Sequence, residues 1–169
     1  MKVWFDIDGV LSNIYKQDLK YGYVKPDGTV DFEKLRAREY APGKEFWGEM
    51  EILPAGLKVF NFCVGQGYEI GILTSKGPFE NVAVGKTEWL SKNQYITSKL
   101  KSIIICDFGG GKKLLAGLGG ILIDDWKGNT DEWVEAGGEG AINFKGNADE
   151  VIAKLLEYEP RKAKDLKSF

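Results

Sequence analysis

The sequence predicts an α/β fold in one domain, a five-stranded parallel sheet with helices on both faces. Five short β-rich runs recur, at 2–6, 69–73, 102–106, 121–124 and 141–144. Each is nearly continuous in apolar residues, as strands covered on both faces are. Helix-forming stretches separate most of them, and that alternation implies right-handed crossovers between parallel strands. With 169 residues, 43% hydrophobic and 12% aromatic, the chain is long enough for a single well-filled core.

Strand one is Val3-Trp4-Phe5 and runs into Asp6-Ile7-Asp8-Gly9. The next stretch, 12–53, holds about forty residues, too many for a simple crossover. It contains Tyr15, Tyr21, Tyr23, Phe32, Tyr40, Phe46 and Trp47, the turn signal Pro26-Asp27-Gly28, and a helical run 32–40 behind Asp31. It reads as a small cap insertion within the 1–169 domain, folded over the carboxyl edge of the sheet. Asp27-Gly28-Thr29-Val30-Asp31 lacks the full calcium-loop pattern and reads as a turn. Pro54 opens a helix carried by 55–64, with Gly65 or Gly67 as its stop. A helix over 79–92 follows strand two. Between strands three and four the chain is rich in glycine and holds at most one helical turn. Its Gly109-Gly110-Gly111-Lys112-Lys113 lacks the serine or threonine and the spacing of a phosphate loop, and reads as a flexible connection. A helix over 129–136 has Asn129 or Thr130 as N-cap and Gly137-Gly138 as its stop. The last helix follows Asn147 and reaches Tyr158, where Pro160 is expected to end it; the lysine-rich tail 161–169 is expected to fray.

Composition excludes several functions. The net charge is −2, against a dedicated nucleic-acid binder, yet a few local lysines would suffice for a small anion. Histidine is absent, which removes imidazole catalysis and most transition-metal sites. Cys63 and Cys106 sit in apolar company and read as buried, reduced thiols. A metal must then be held by oxygen, which favours Mg²⁺. The N-terminus enters a strand at once and no apolar run reaches the roughly 20 residues of a membrane span, so a cytoplasmic location is expected, with no membrane partner.

Ligands in open α/β sheets bind beyond the carboxyl ends of the strands. Those ends carry Asp6 and Asp8 after strand one, Thr74 and Ser75 after strand two, and Asp124 and Asp125 after strand four; Lys86 lies near the start of the intervening helix. The chemistry of the set is coherent. Asp6 could attack phosphorus to give an aspartyl phosphate, and Asp8 could protonate the leaving oxygen and then deprotonate water. Asp124 and Asp125 could complete an oxygen cage for Mg²⁺. Thr74, Ser75 and Lys86 could bind the phosphoryl oxygens, with Lys76 and Lys92 as weaker candidates for the lysine role.

Asp6-Ile7-Asp8-Gly9-Val10, the Thr74 strand end, a lysine and Asp124-Asp125 resemble the four ordered motifs of the haloacid dehalogenase (HAD) superfamily of phosphohydrolases. The resemblance implies a Rossmann-like core and an Mg²⁺-dependent aspartyl-phosphate mechanism. Asp6 would be nucleophile and metal ligand, Asp8 acid/base and ligand through its backbone carbonyl, and a motif-four aspartate the third ligand. The run from Phe46-Trp47-Gly48 to Leu53-Pro54-Ala55-Gly56, Thr74-Ser75 and Lys86-Thr87-Glu88-Trp89 are similar to the 5′(3′)-deoxyribonucleotidase family. That similarity implies phosphate binding by Thr74, Ser75 and Lys86, direct metal ligation by Asp125 with Asp124 behind it, and a nucleoside pocket near Phe46 and Trp47. The insertion is shorter than in the best-known members of that family.

The function expected is therefore a phosphomonoesterase acting on (deoxy)nucleoside monophosphates, with a homodimer left open. A sugar phosphate or a polynucleotide 3′-phosphate is the alternative substrate. A receiver-type phospho-acceptor domain is the non-enzymatic alternative, with Asp107 at the end of strand three as its only candidate acceptor.

Overall fold

A computed structural model describes residues 1–25, 27–29, 44–76 and 80–165. The helical run expected over 32–40 lies outside the described residues, as do Pro26, Phe32 and Tyr40. In chain order the elements are β1 (Lys2–Phe5), α1 (Ile14–Lys20), α2 (Lys44–Gly48), α3 (Pro54–Gly65), β2 (Glu69–Lys76), α4 (Glu80–Lys92), α5 (Gln94–Thr97), β3 (Ser102–Asp107), α6 (Gly111–Leu114), a 3-10 turn (Ala116–Leu118), β4 (Ile121–Asp124), α7 (Lys127–Glu135), β5 (Gly140–Asn143) and α8 (Ala148–Asp165).

All five apolar runs are strands of one parallel sheet in the order β3-β2-β1-β4-β5. The chain steps from β1 outward to β3, then crosses back to place β4 on the other side of β1. The order therefore reverses between β1 and β4, where an open α/β sheet forms its ligand crevice. This order also removes the receiver alternative. That fold places its third strand beside its first, in the order 2-1-3-4-5. Here β3 is an edge strand, and Asp107 points into solvent beside Lys76, 3.6 Å away.

Alternation along the strands fills both faces. Val3, Phe5, Ile70, Ile72, Ile121 and Ile123 face the larger core, with α3, α4 and α8 over them. Trp4, Leu73 and Leu122 face a smaller core closed by Ala116 and Trp133. Trp4 fits because its neighbour on β2 is Gly71; a side chain there would collide with the indole ring.

Several details differ from expectation. α7 starts at Lys127, so Asn129 and Thr130 lie inside its first turn and neither caps it. Asn129 instead reaches back to Asp124, a long-range partner that a local capping rule does not consider. α8 continues through Pro160 to Asp165: a proline removes one ladder hydrogen bond, and the Arg-Lys-Ala-Lys that follows favours helix. The glycine-rich connection after β3 is built, with Gly109 and Gly110 at φ 77° and 94° turning the chain directly into α6.

The segment after β1 is tied down at both ends. Asn13 caps α1 by accepting from the Lys16 N–H at 3.0 Å. α2 lies against α4, with Lys44 paired to Glu88 at 2.7 Å and the Trp89 indole donating to the Met50 carbonyl at 2.7 Å. Gly85 permits this approach, since any side chain there would overlap the Lys44 carbonyl and Trp47.

Candidate active site

After β1 the backbone winds one tight turn around the Ile7 carbonyl, which accepts from the N–H groups of Val10, Leu11 and Ser12. Gly9 makes the turn possible at φ 68°. The turn aims both Asp6 and Asp8 at the crevice. Asp6 is fixed from three directions. Its N–H donates to the Ile123 carbonyl at 3.0 Å, its Oδ1 accepts from the Ile7 N–H at 2.7 Å, and its Oδ2 lies 2.8 Å from Lys112 Nζ.

Two buried lysines organise the carboxylates. Lys112, from α6, lies between Asp6 and Asp124, 2.5 Å from the latter, with 2% of its side chain exposed. Burial works against its charge, but the two carboxylates outweigh burial and raise its pKa above the ordinary lysine value. Lys86, from α4, sits 2.7 Å from Asp8 Oδ2 and donates to Thr74 Oγ1 at 2.9 Å and to the Ser75 carbonyl at 2.5 Å. Burial also works against the ionised form of Asp6, yet Lys112 and Lys86, helped by hydrogen bonds from Lys112 and Thr74, hold its carboxyl below the usual range. Asp6 is thus an ionised, oriented carboxylate. Asp8 keeps its other oxygen, Oδ1, buried and without a hydrogen-bond partner among the described residues.

Asp124 ends β4 fully buried. It accepts from Lys112, from the Trp126 N–H at 2.9 Å and from the Asn129 amide at 3.0 and 3.1 Å. Burial and the Asp6 charge raise its pKa, against the opposing pull of Lys112. Asp125 turns the other way, toward the crevice and exposed to it. Burial of its carboxyl among protein atoms, then the charges of Asp6, Asp124 and Asp8, push it up to about 7. The Asn143 amide donates to the carbonyls of both Asp124 and Asp125, at 3.2 and 2.9 Å, and so fixes this acidic turn.

Asp6, Asp124 and Asp125 each offer a carboxylate oxygen, all within 4.8 Å of one another. The set fits a hard divalent cation such as Mg²⁺, because every donor is oxygen and four carboxylates crowd round two ammonium groups. Asp124 already accepts four hydrogen bonds from three donor groups, whereas among the described residues no ammonium pairs with Asp125. Asp6 and Asp125 are therefore the residues free to touch a cation, with Asp124 behind them. Gly9 leaves the room: a Cβ there would overlap the Asp125 carboxylate.

These groups line a cleft of about 260 Å³. Asp6, Asp8, Ser75, Lys86 and Asp125 face it, as does Trp47, whose ring lies 5.5 Å from Lys86 Nζ. Thr74 is buried beneath, bridging Lys86 and Asp6. Phe46 lies outside the cleft lining, packed edge-on against Tyr21, Tyr23 and Trp47 with no exposed surface. Lys92 donates to the Gly48 carbonyl at 3.1 Å, holding α2 to α4, and Lys76 pairs with Asp107. Lys112 is the residue that sequence reasoning passed over. Its signal was a lysine directly behind three glycines, a turn able to point a side chain inward. Neither cysteine forms a disulfide; burial pushes Cys63 up to about 12, as an inert core cysteine requires, whereas Cys106 is only half-buried and its thiol contacts Ser75 and the Thr74 carbonyl.

No protein-family description matches this sequence, and no curated protein matches it. Solved structures do share its fold. A hydrolase from Streptococcus pneumoniae TIGR4 superposes with a TM-score of 0.60 over 91% of this chain and 97% of that one, at 15% identity. A HAD-superfamily hydrolase from Ehrlichia chaffeensis does so with a TM-score of 0.52 over 93% and 96%, at 17% identity. YfnB from Bacillus subtilis, described as a HAD-hydrolase and crystallised with magnesium, gives 0.61 over 91% and 97%, at 10% identity. The chain thus has the Rossmann-like fold of HAD-superfamily hydrolases. Among the described residues no helix is long and apolar enough to cross a membrane.

Proposed function

We propose that this protein is a divalent-cation-dependent phosphomonoesterase that works through an aspartyl phosphate on Asp6 and takes a nucleoside monophosphate, deoxy by resemblance. One observation carries the reading: an ionised, three-point-fixed Asp6 faces the same cleft as Asp8, Lys86 and Asp125. The fold shared with HAD hydrolases supports it, and the magnesium bound to YfnB supports the cation.

The residues divide the chemistry as follows. Asp6 attacks phosphorus as the ester P–O bond breaks, and Asp8 gives its proton to the departing alkoxide. In the second half Asp8 takes a proton from water, which attacks phosphorus and releases Asp6 and inorganic phosphate. Lys86 and the Ser75 hydroxyl receive the phosphoryl oxygens, Lys86 exchanging its bond to Asp8 for one to the substrate. A divalent cation held by Asp6 and Asp125 would supply positive charge against the phosphoryl oxygens. Lys112 keeps Asp6 ionised and oriented throughout. Trp47 gives the cleft an apolar wall suited to the nucleoside.

A panel of nucleoside monophosphates, glycerol phosphate and an aryl phosphate tests this. Phosphate release should require Mg²⁺, stop with chelator, and fall by a factor of at least about a thousand in Asp6→Asn while that variant keeps its thermal transition. Equal release by wild type and variant would overturn the mechanism.

A further inference from the structure

Phe108 and Trp126 stand at the mouth of the cleft with 59% and 61% of their surface exposed. Such rings are ordinarily buried, each hiding about 150–250 Å² of largely apolar area, so two of them left out beside one charged cleft call for an explanation. They follow β3 and β4, strands separated in the sheet by β2 and β1, yet their rings meet edge to face, 6.3 Å apart with 76° between planes. The arrangement is built. The Trp126 N–H is held by Asp124 Oδ1 at 2.9 Å, and Gly128 leaves space for the indole, since a side chain there would collide with it. Trp47, Val82 and Ile14 line the same cleft, so its lining combines charged groups with apolar and aromatic ones.

We propose that Phe108 and Trp126 form the specificity-determining rim for the leaving group, selecting phosphate esters whose alcohol carries a flat aromatic ring that stacks on the rim. This rests on the phosphomonoesterase reading for the phosphate end, and assigns the ring end to residues of the core loops rather than to Phe46. Aromatic faces stack on planar rings with little demand for hydrogen-bond pattern, so the rim would discriminate ring from no ring more than one base from another.

The test compares wild type with Trp126→Leu, Phe108→Leu and the double variant, which keep apolar area and remove the rings. KM for a nucleoside monophosphate should rise at least about tenfold in the double variant, most of it from the ring on which the base stacks, with kcat little changed, while KM for glycerol phosphate stays put. Equal effects on both esters, or none, would overturn the proposal. Binding of the same nucleotide to the Asp6→Asn variant, with and without the rim substitutions, is measured by calorimetry. That binding should weaken in parallel even if wild type released no phosphate, which would sink the catalytic reading and leave the rim standing. Absence of nucleotide binding to Asp6→Asn, or rim variants that change only the oligomeric state in sedimentation, would overturn the rim and leave catalysis untouched.

Discussion

Lys112 keeps its charge with almost no exposed surface, and only its two carboxylate partners make that tolerable. Lys112→Met should destabilise the fold by about 3 kcal/mol in urea unfolding, because two buried carboxylates lose their shared counter-charge. Adding Asp124→Asn should recover part of the loss; an unchanged midpoint in the single variant would contradict the charge assignment. Asp125 has the opposite character. Its folded pKa, about 7, lies above the ordinary 3.8. In metal-free protein the folded state therefore holds a proton that the unfolded chain has released. The stability from this group is complete below about pH 4 and is lost as pH rises through about 7. Asp125→Asn should be no more stable than wild type at pH 4, and more stable by about 1 kcal/mol at pH 8 in chelator, a figure discounted for its exposed side. With Mg²⁺ present the order at pH 8 should invert. A variant less stable at pH 8 in chelator would contradict the crowding.

At the scale of elements, glycines decide where helices can lie. Gly85 sets the contact of α4 with α2 and hence the position of Trp47. Gly85→Val should cost about 2 kcal/mol by overpacking, read as a lower thermal midpoint. Gly65→Ala, at the end of α3 with nothing near it, should leave the midpoint level or slightly higher. A harmless Gly85→Val would contradict the close packing. β1, β2 and β4 were legible because burial on both faces leaves an apolar run; β3 carries an equally apolar run at the sheet edge, with Ile103 46% exposed. β2 was read short, ending at 73 where the strand reaches Lys76, since Thr74, Ser75 and Lys76 are polar yet paired with Ile105, Cys106 and Asp107. Polar residues that extend a strand into a site look like a loop in sequence. α6 was hidden for a related reason: one helical turn after three glycines has no periodicity to detect.

Across the whole molecule, the order β3-β2-β1-β4-β5 brings residues 6, 8, 75, 86 and 125 to one cleft, with Thr74 and Lys112 buried against Lys86 and Asp6. Asp6, Asp8, Thr74, Asp124 and Asp125 could be picked out because strand-end position is itself a sequence pattern. Asn129 and Asn143 could not, since their roles are contacts with Asp124 and Asp125 that only the folded topology creates, and the glycines before Lys112 mark a turn without naming its carboxylate partners. Phe46 and Trp47, adjacent in sequence, were read as a pair; the helix buries both in the core, and only Trp47 also lines the cleft. The central claim is that Asp6 carries the phosphoryl group during turnover. Acid-quenching the enzyme during steady-state hydrolysis of a nucleoside monophosphate with Mg²⁺, followed by borohydride reduction and peptide mass analysis, reads it directly. The peptide containing Asp6 should be converted to the homoserine form only when substrate is present. Labelling at Asp8 or elsewhere, or turnover with no acyl phosphate on Asp6, would contradict it.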